Sequence, residues 1–174
     1  MEDQISFNSH AKALLLLFLA CAFFAVFATV DTSEHYRAWR TARKWTEEQK
    51  LAAPAQDADF MYSLILGALA IETSIIAISF IGALGLGIAT STESAKTYTL
   101  ARGFGWLSSG LGLVYTVLMI YYQMRVGPRV ILKGPIFDYD LSMQIPILLA
   151  VIGFPATLAL YAFFNYQKRI TKKA

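Results

Sequence analysis

Four apolar stretches, each near the ~20 residues that a helix needs to cross ~30 Å of hydrocarbon, run through this 174-residue chain. They cover about residues 13–31, 62–89, 104–123 and 143–164. Apolar runs of that length predict an all-α membrane protein, with four transmembrane helices in a bundle forming one domain over residues 1–174. Composition agrees: 56% of residues are apolar and 16% charged, against 45–50% and about 25% in soluble domains. At this length no room is left for a soluble catalytic domain beside the spans. The net charge of +3 is scattered over short segments, which excludes a nucleic-acid module. Cys21 is the lone cysteine, so neither an intrachain disulfide nor a paired-thiol metal or redox site is available.

The first span superficially resembles a signal peptide, with a polar start before Leu14-Leu15-Leu16-Leu17. Glu2 and Asp3 stand where such a leader carries positive charge, so a retained helix is expected. Four spans place both termini on one side. Lys and Arg divide almost evenly between the two sides, seven against eight, but four cations lie within residues 168–173 just after the last span. That density predicts cytoplasmic termini.

The loops are expected to be ordered over 32–61 and 124–142. From Thr32 to Gln49 there is no Pro or Gly, and His35, Ala38, Ala42, Trp45 and Gln49 recur at helical spacing, so the first helix should continue beyond the membrane and end near Ala52–Ala55. In the third loop, Gly127-Pro128 and Gly134-Pro135 enclose a strand-like or interface-hugging run, Arg129–Lys133, and Asp138–Asp140 reads as a cap and turn. Tyr62, Trp106, Tyr121, Tyr122, Tyr161 and Tyr166 fall at the span ends, where aromatic belts form.

Glu72 is the most informative residue, because it lies about eleven residues into the second span, where an acidic side chain costs about 2.5–3.5 kcal/mol. The surrounding Leu, Ile and Phe outweigh that cost, so the helix inserts and the carboxyl dictates only which way it faces. A 3.6-residue period puts Ala68, Glu72, Ser79, Ala83 and Gly87 on one small, polar face that should look into protein. Tyr115, Thr116, Ser108 and Ser109 are its candidate hydrogen-bond partners in the chain. Glu72 is then either a proton- or cation-handling acid or a buried hydrogen bond that pins helix packing; the second reading is favoured because no other ionisable residue is expected deep in a span.

Small residues at four-residue spacing, Gly105/Ser109, Ser108/Gly112 and Gly112/Thr116, predict close packing of the third helix against Ser79, Ala83 and Gly87 of the second. Pro155 should kink the fourth span and free the carbonyl of Val151. His10 and His35 are too far apart along one helix to clamp a haem, and Asp31, Glu34 and His35 read as a solvated helix end, so no metal or other cofactor is expected. Trp39 and Trp45 beside Arg37, Arg40 and Arg43 are residue types typical of interface anchors.

The layout has the general shape of claudin-type or MARVEL-type tetraspan proteins but lacks the claudin cysteine pair and Gly-Leu-Trp element. With no catalytic constellation, the expected role is a non-catalytic accessory or structural subunit of a larger membrane complex, its partners being other membrane subunits and the lipid bilayer. The alternatives are a small oligomeric proton- or ion-coupled transporter using Glu72 and, third, a membrane enzyme acting on a lipid-soluble substrate through Glu72 and Tyr115.

Overall fold

A computed structural model describes residues 2–48, 52–126, 131–134, 137–140 and 145–171, with side chains described over 10–44, 58–126 and 145–166. Four helices, α1 (Glu2–Glu48), α2 (Ala52–Ser91), α3 (Ala95–Val126) and α4 (Ile145–Thr171), run up and down in a bundle. Each contains a segment long and apolar enough to cross a membrane, as in an integral multi-pass membrane protein. α1 packs on α2 and α4, and α3 packs on the same two from the opposite corner.

The buried residues of three helices follow a seven-residue repeat. In α1 the repeat runs through Ala11, Leu14, Phe18, Cys21, Ala25, Ala28, Thr32, His35, Trp39 and Ala42, with Leu17, Asp31 and Ala38 buried beside it. In α2 they are Met61, Ile65, Ala68, Glu72, Ile75, Ser79, Gly82, Leu86 and Ala89, and in α3 Ala101, Gly105, Ser108, Gly112, Tyr115, Met119, Tyr122 and Val126. Alternating three- and four-residue steps average 3.5 residues, the period that keeps one seam facing its neighbours in a left-handed bundle. A straight 3.6-residue helix drifts off that seam by ~20° per heptad. This drift is why the expected Ala83 and Gly87 are not the packing positions: Gly87 is exposed and a Cβ there would meet nothing within 4 Å, Ala83 is only half-buried, and the seam passes through Gly82 and Leu86.

The small residues of α3 also serve different neighbours from those expected. A Cβ on Gly105 would sit 2.7 Å from Leu14 Cδ1 of α1, and one on Gly112 would sit 2.6 Å from Phe154 Cδ1 of α4. Gly82 of α2 receives the ring of Phe18 in the same way. The glycines are therefore sockets for large side chains of α1 and α4, while α2 meets α3 through Ser79 and Ser108.

Most of the expected loop 32–61 is helix. α1 continues unbroken to Glu48, and the Ala-Ala-Pro-Ala stretch expected to end it instead opens α2, with Pro54 in a first turn whose N–H groups have no helical partner to lose. Between α2 and α3, Glu93 takes a left-handed conformation (φ 52°), and Ser94 Oγ accepts the N–H of Thr97 at 3.4 Å, capping α3. In the third loop, β1 (Ile131–Gly134) pairs antiparallel with β2 (Phe137–Asp140), Ile131 opposite Asp140. The strand-like reading of that run therefore holds for 131–133, whereas Asp138–Asp140 forms a strand where a cap and turn were expected. The Gly127-Pro128 turn, Arg129 and the N-cap of α4 lie outside the described residues.

α4 passes through Pro155 as one helix. Proline has no N–H to give the carbonyl of Val151, and Thr116 Oγ1 of α3 approaches that oxygen at 3.4 Å while also donating to Gly112 O at 3.0 Å. Thr116, expected as a partner of Glu72, is thus used to mend α4. Thr116→Val should cost no more than the ~0.6–1.7 kcal/mol typical of interhelical hydrogen bonds in membranes. Unfolding of the purified chain in mixed micelles checks this.

Candidate functional site

The heptad seams carry polar side chains at three levels of the interior. Nearest the chain termini, Ser79 and Ser108 share a hydrogen bond of 2.8 Å, with the Cys21 thiol in reach of Ser108 and Ser109. Above them, Thr32 Oγ1 of α1 donates to Glu72 Oε1 of α2 at 2.7 Å. Tyr115 of α3 places its hydroxyl 3.4 Å from Thr32 Oγ1 and beside the same carboxyl group. Towards the loop end, the Tyr122 hydroxyl lies 2.8 Å from His35 Nδ1 and accepts Trp39 Nε1–H at 2.9 Å. His35 Nε2 stands 3.8 Å from Asp31 Oδ1, one turn earlier on α1. Asp31, Thr32, His35, Glu72, Tyr115 and Tyr122 are all buried.

Indole nitrogen can only donate, so Tyr122 oxygen accepts from Trp39 and its own proton is available for His35 Nδ1. In the tautomer that accepts this proton at Nδ1, the ring N–H is on Nε2 and faces Asp31. The result is an acid–imidazole–phenol series on α1 and α3, one helical turn from the Thr32–Glu72–Tyr115 group. Chemically, such a series can hold or pass a proton, and it also ties α1, α2 and α3 together at fixed depth. The two groups differ in origin: Tyr115, one of the four candidate partners of Glu72, does lie beside it, whereas Thr32, its partner at 2.7 Å, comes from the part of α1 expected beyond the membrane.

Three expectations are corrected here. Asp31 and His35 are not a solvated helix end but interior residues, whereas Glu34 beside them is exposed. Tyr122 and Tyr161 are buried and not belt residues, although Trp106, Tyr121 and Tyr166 are exposed as belt residues should be. Trp39 is not an outward anchor, since its side chain is buried against Tyr122. For His35 and Trp39 the signal is the uninterrupted heptad of α1, in which residues 28, 32, 35, 39 and 42 prolong the register of 14, 18, 21 and 25 without a break; Tyr122 prolongs the α3 register of 105, 108, 112, 115 and 119 in the same way.

The other expected site residues scatter. Ser108 and Ser109 belong to the terminal-side level and do not touch Glu72. Arg37 and Arg40 are exposed. Arg43 joins the chain to itself, with Nε 2.6 Å from Asp59 Oδ1 and its guanidinium 5.2 Å from the centre of the Tyr62 ring, which shares a 3.2 Å hydroxyl contact with Tyr36. Both partners of that ion pair are about half exposed, so it contributes about 1 kcal/mol or less. The Trp45 side chain lies outside the described residues. Among the described residues, no three His, Cys, Asp or Glu side chains are grouped to hold a metal ion. No family model, curated protein or solved structure matches this chain.

Proposed function

We propose that this chain is a non-catalytic accessory or structural subunit of a larger integral membrane complex, and that it meets its neighbours through the outward face of α2 and the adjoining outer face of α1. The observation that carries the reading is a second seam of small residues on α2, facing away from the bundle. Ser63, Ala70, Ser74 and Ala77 are exposed there, with Gly67 between them. A Cβ on Gly67 would meet nothing within 4 Å, so packing inside the chain does not require glycine at that position. The hydroxyls of Ser63, Thr73 and Ser74 bond back to their own helix, which removes their desolvation cost against another helix. Small residues at such spacing let a second helix approach closely in lipid.

The outer face of α1 adds to this. His35 and Trp39 are level with Tyr122 of α3. At that level α3 exposes Ile120, Tyr121 and Met124 with one cation, Arg125, while α1 exposes three charged side chains, Glu34, Arg37 and Arg40. Charged side chains beside an apolar belt are better satisfied by a protein neighbour than by lipid tails. Both termini are placed on the cytoplasmic side in this proposal, from the cations at 168–173.

The test is Gly67→Leu with Ala70→Leu. Thermal unfolding should stay within about 0.5 kcal/mol of the parent, as for surface changes away from packing features, while the companions that co-purify with the parent in mild detergent are lost. A parent that migrates alone from its native membrane, or a variant that keeps the same companions, overturns the reading.

A second reading, small oligomeric proton- or ion-coupled transport through Glu72, gains support from the burial of Asp31 and His35 beside it, because the acid then has ionisable company inside the bundle. Glu72→Gln separates the two. The subunit reading expects assembly to survive this nearly isosteric change, and the transport reading expects coupled flux in reconstituted vesicles to vanish with folding intact.

A further inference from the structure

At the terminal end of the bundle, α1 and α4 leave an open cleft of about 510 Å³ between them. We infer that this cleft binds one acyl chain of an anionic glycerophospholipid, whose phosphate is held by Lys12 at its mouth. The walls are Ala13, Leu16 and Ala20 of α1 and Thr157, Leu160 and Tyr161 of α4. The cleft exists because alanines on α1 face α4 where larger side chains would have closed the gap.

Its ends are bounded. On the bilayer-centre side, the ring of Phe24 fills the space over Gly153, where a Cβ would come within 2.4 Å of it. On the terminal side, His10 stacks edge-on against Phe164 with ring centres 6.0 Å apart. Between these contacts the cleft extends over the nine residues from Lys12 to Ala20, eight rises or about 12 Å at 1.5 Å each. A partner helix needs a seam that runs on and an axis separation of 8–10 Å; a short, bounded, apolar slot suits a flexible chain instead. A slot that opens towards hydrocarbon is filled by what surrounds it, and that is acyl chain.

Charge decides the headgroup. Lys12 is exposed at the mouth, at the boundary where α1 turns from apolar to polar sequence. Four more cations, Lys168, Arg169, Lys172 and Lys173, follow within nine residues of Phe164, the last cleft residue of α4. A cluster of four or more basic residues beside a transmembrane helix attracts anionic headgroups, and each contributes about fivefold in affinity near the surface. A zwitterionic headgroup would leave these charges uncompensated, so the cleft should discriminate by headgroup while the acyl slot itself accepts any chain.

The experiment is native mass spectrometry of the full chain, released from mild detergent micelles that contain equimolar phosphatidylglycerol and phosphatidylcholine. The parent should carry phosphatidylglycerol at least about fivefold more often than phosphatidylcholine. Lys12→Gln should reduce that preference about fivefold, and Ala20→Phe, which fills the slot, should remove bound lipid of both kinds while the circular dichroism of the helices is unchanged. Equal occupancy by the two lipids in the parent, or undiminished phosphatidylglycerol in a folded Ala20→Phe chain, overturns the inference. The unmodified protein provides a second measurement. Trp106 lies 5.8 Å, ring to ring, from Tyr161 of the cleft wall, whereas Trp39 is at the opposite end of the bundle. In vesicles of dioleoylphosphatidylcholine, chain-brominated phosphatidylglycerol should therefore quench tryptophan emission at a lower mole fraction than chain-brominated phosphatidylcholine does, and superimposable quenching curves would refute the site.

Discussion

Gly112→Ala, the addition of one methyl group, should destabilise the bundle by about 1–3 kcal/mol, the usual cost of overpacking a filled interior. The new carbon would lie 2.6 Å from Cδ1, 2.7 Å from Cγ and 3.0 Å from Cβ of Phe154. Cβ is fixed to the α4 backbone, and Phe154 is itself buried, so the ring cannot swing aside and α3 and α4 have to move apart. Separation also lengthens the contact from Thr116 to the Val151 carbonyl. The opposite sign is expected at Gly87 and Gly103, where a Cβ meets nothing within 4 Å. There alanine gains its helix propensity of up to about 1 kcal/mol with no steric offset. Unfolding free energies of the three variants in mixed micelles provide the check, and equal effects at all three positions would mean that Phe154 is not seated on Gly112.

Tyr122→Phe should cost about 1–3 kcal/mol, because one deleted oxygen strands two partners, the Trp39 indole N–H and His35 Nδ1, in a buried site. By comparison, Ser79→Ala breaks one hydroxyl pair and should cost about 0.6 kcal/mol, the mean for such pairs in membranes. A double-mutant cycle with Trp39→Phe tests the assignment. If Trp39 donates to Tyr122, the two changes together should cost less than their sum, by about 0.5 kcal/mol or more; strict additivity would remove the bond from the account.

Much of this protein is legible from its residue order alone. The four spans, the inward aim of Glu72 and the freed carbonyl ahead of Pro155 all follow from hydrophobicity and local covalent geometry, which act over one or two helical turns. Long runs of Leu, Ile, Phe and Val reveal the solvent, and an acid among them reveals a face. What residue order alone did not decide is which residue lies opposite which. Thr32 as the partner of Glu72, the Asp31–His35–Tyr122–Trp39 group, and Phe154 and Leu14 as the occupants of Gly112 and Gly105 all depend on register between helices. Register is a collective result: four helices coil together, the face period shortens from 3.6 to 3.5 residues, and over twenty residues the seam of α2 shifts from Ala83 and Gly87 to Gly82 and Leu86. The same shortening lets the α1 seam continue through a polar segment, where composition alone reads surface. Hydropathy records what each side chain prefers, but only the packed bundle determines whether a histidine one turn past the last valine meets water or a tyrosine.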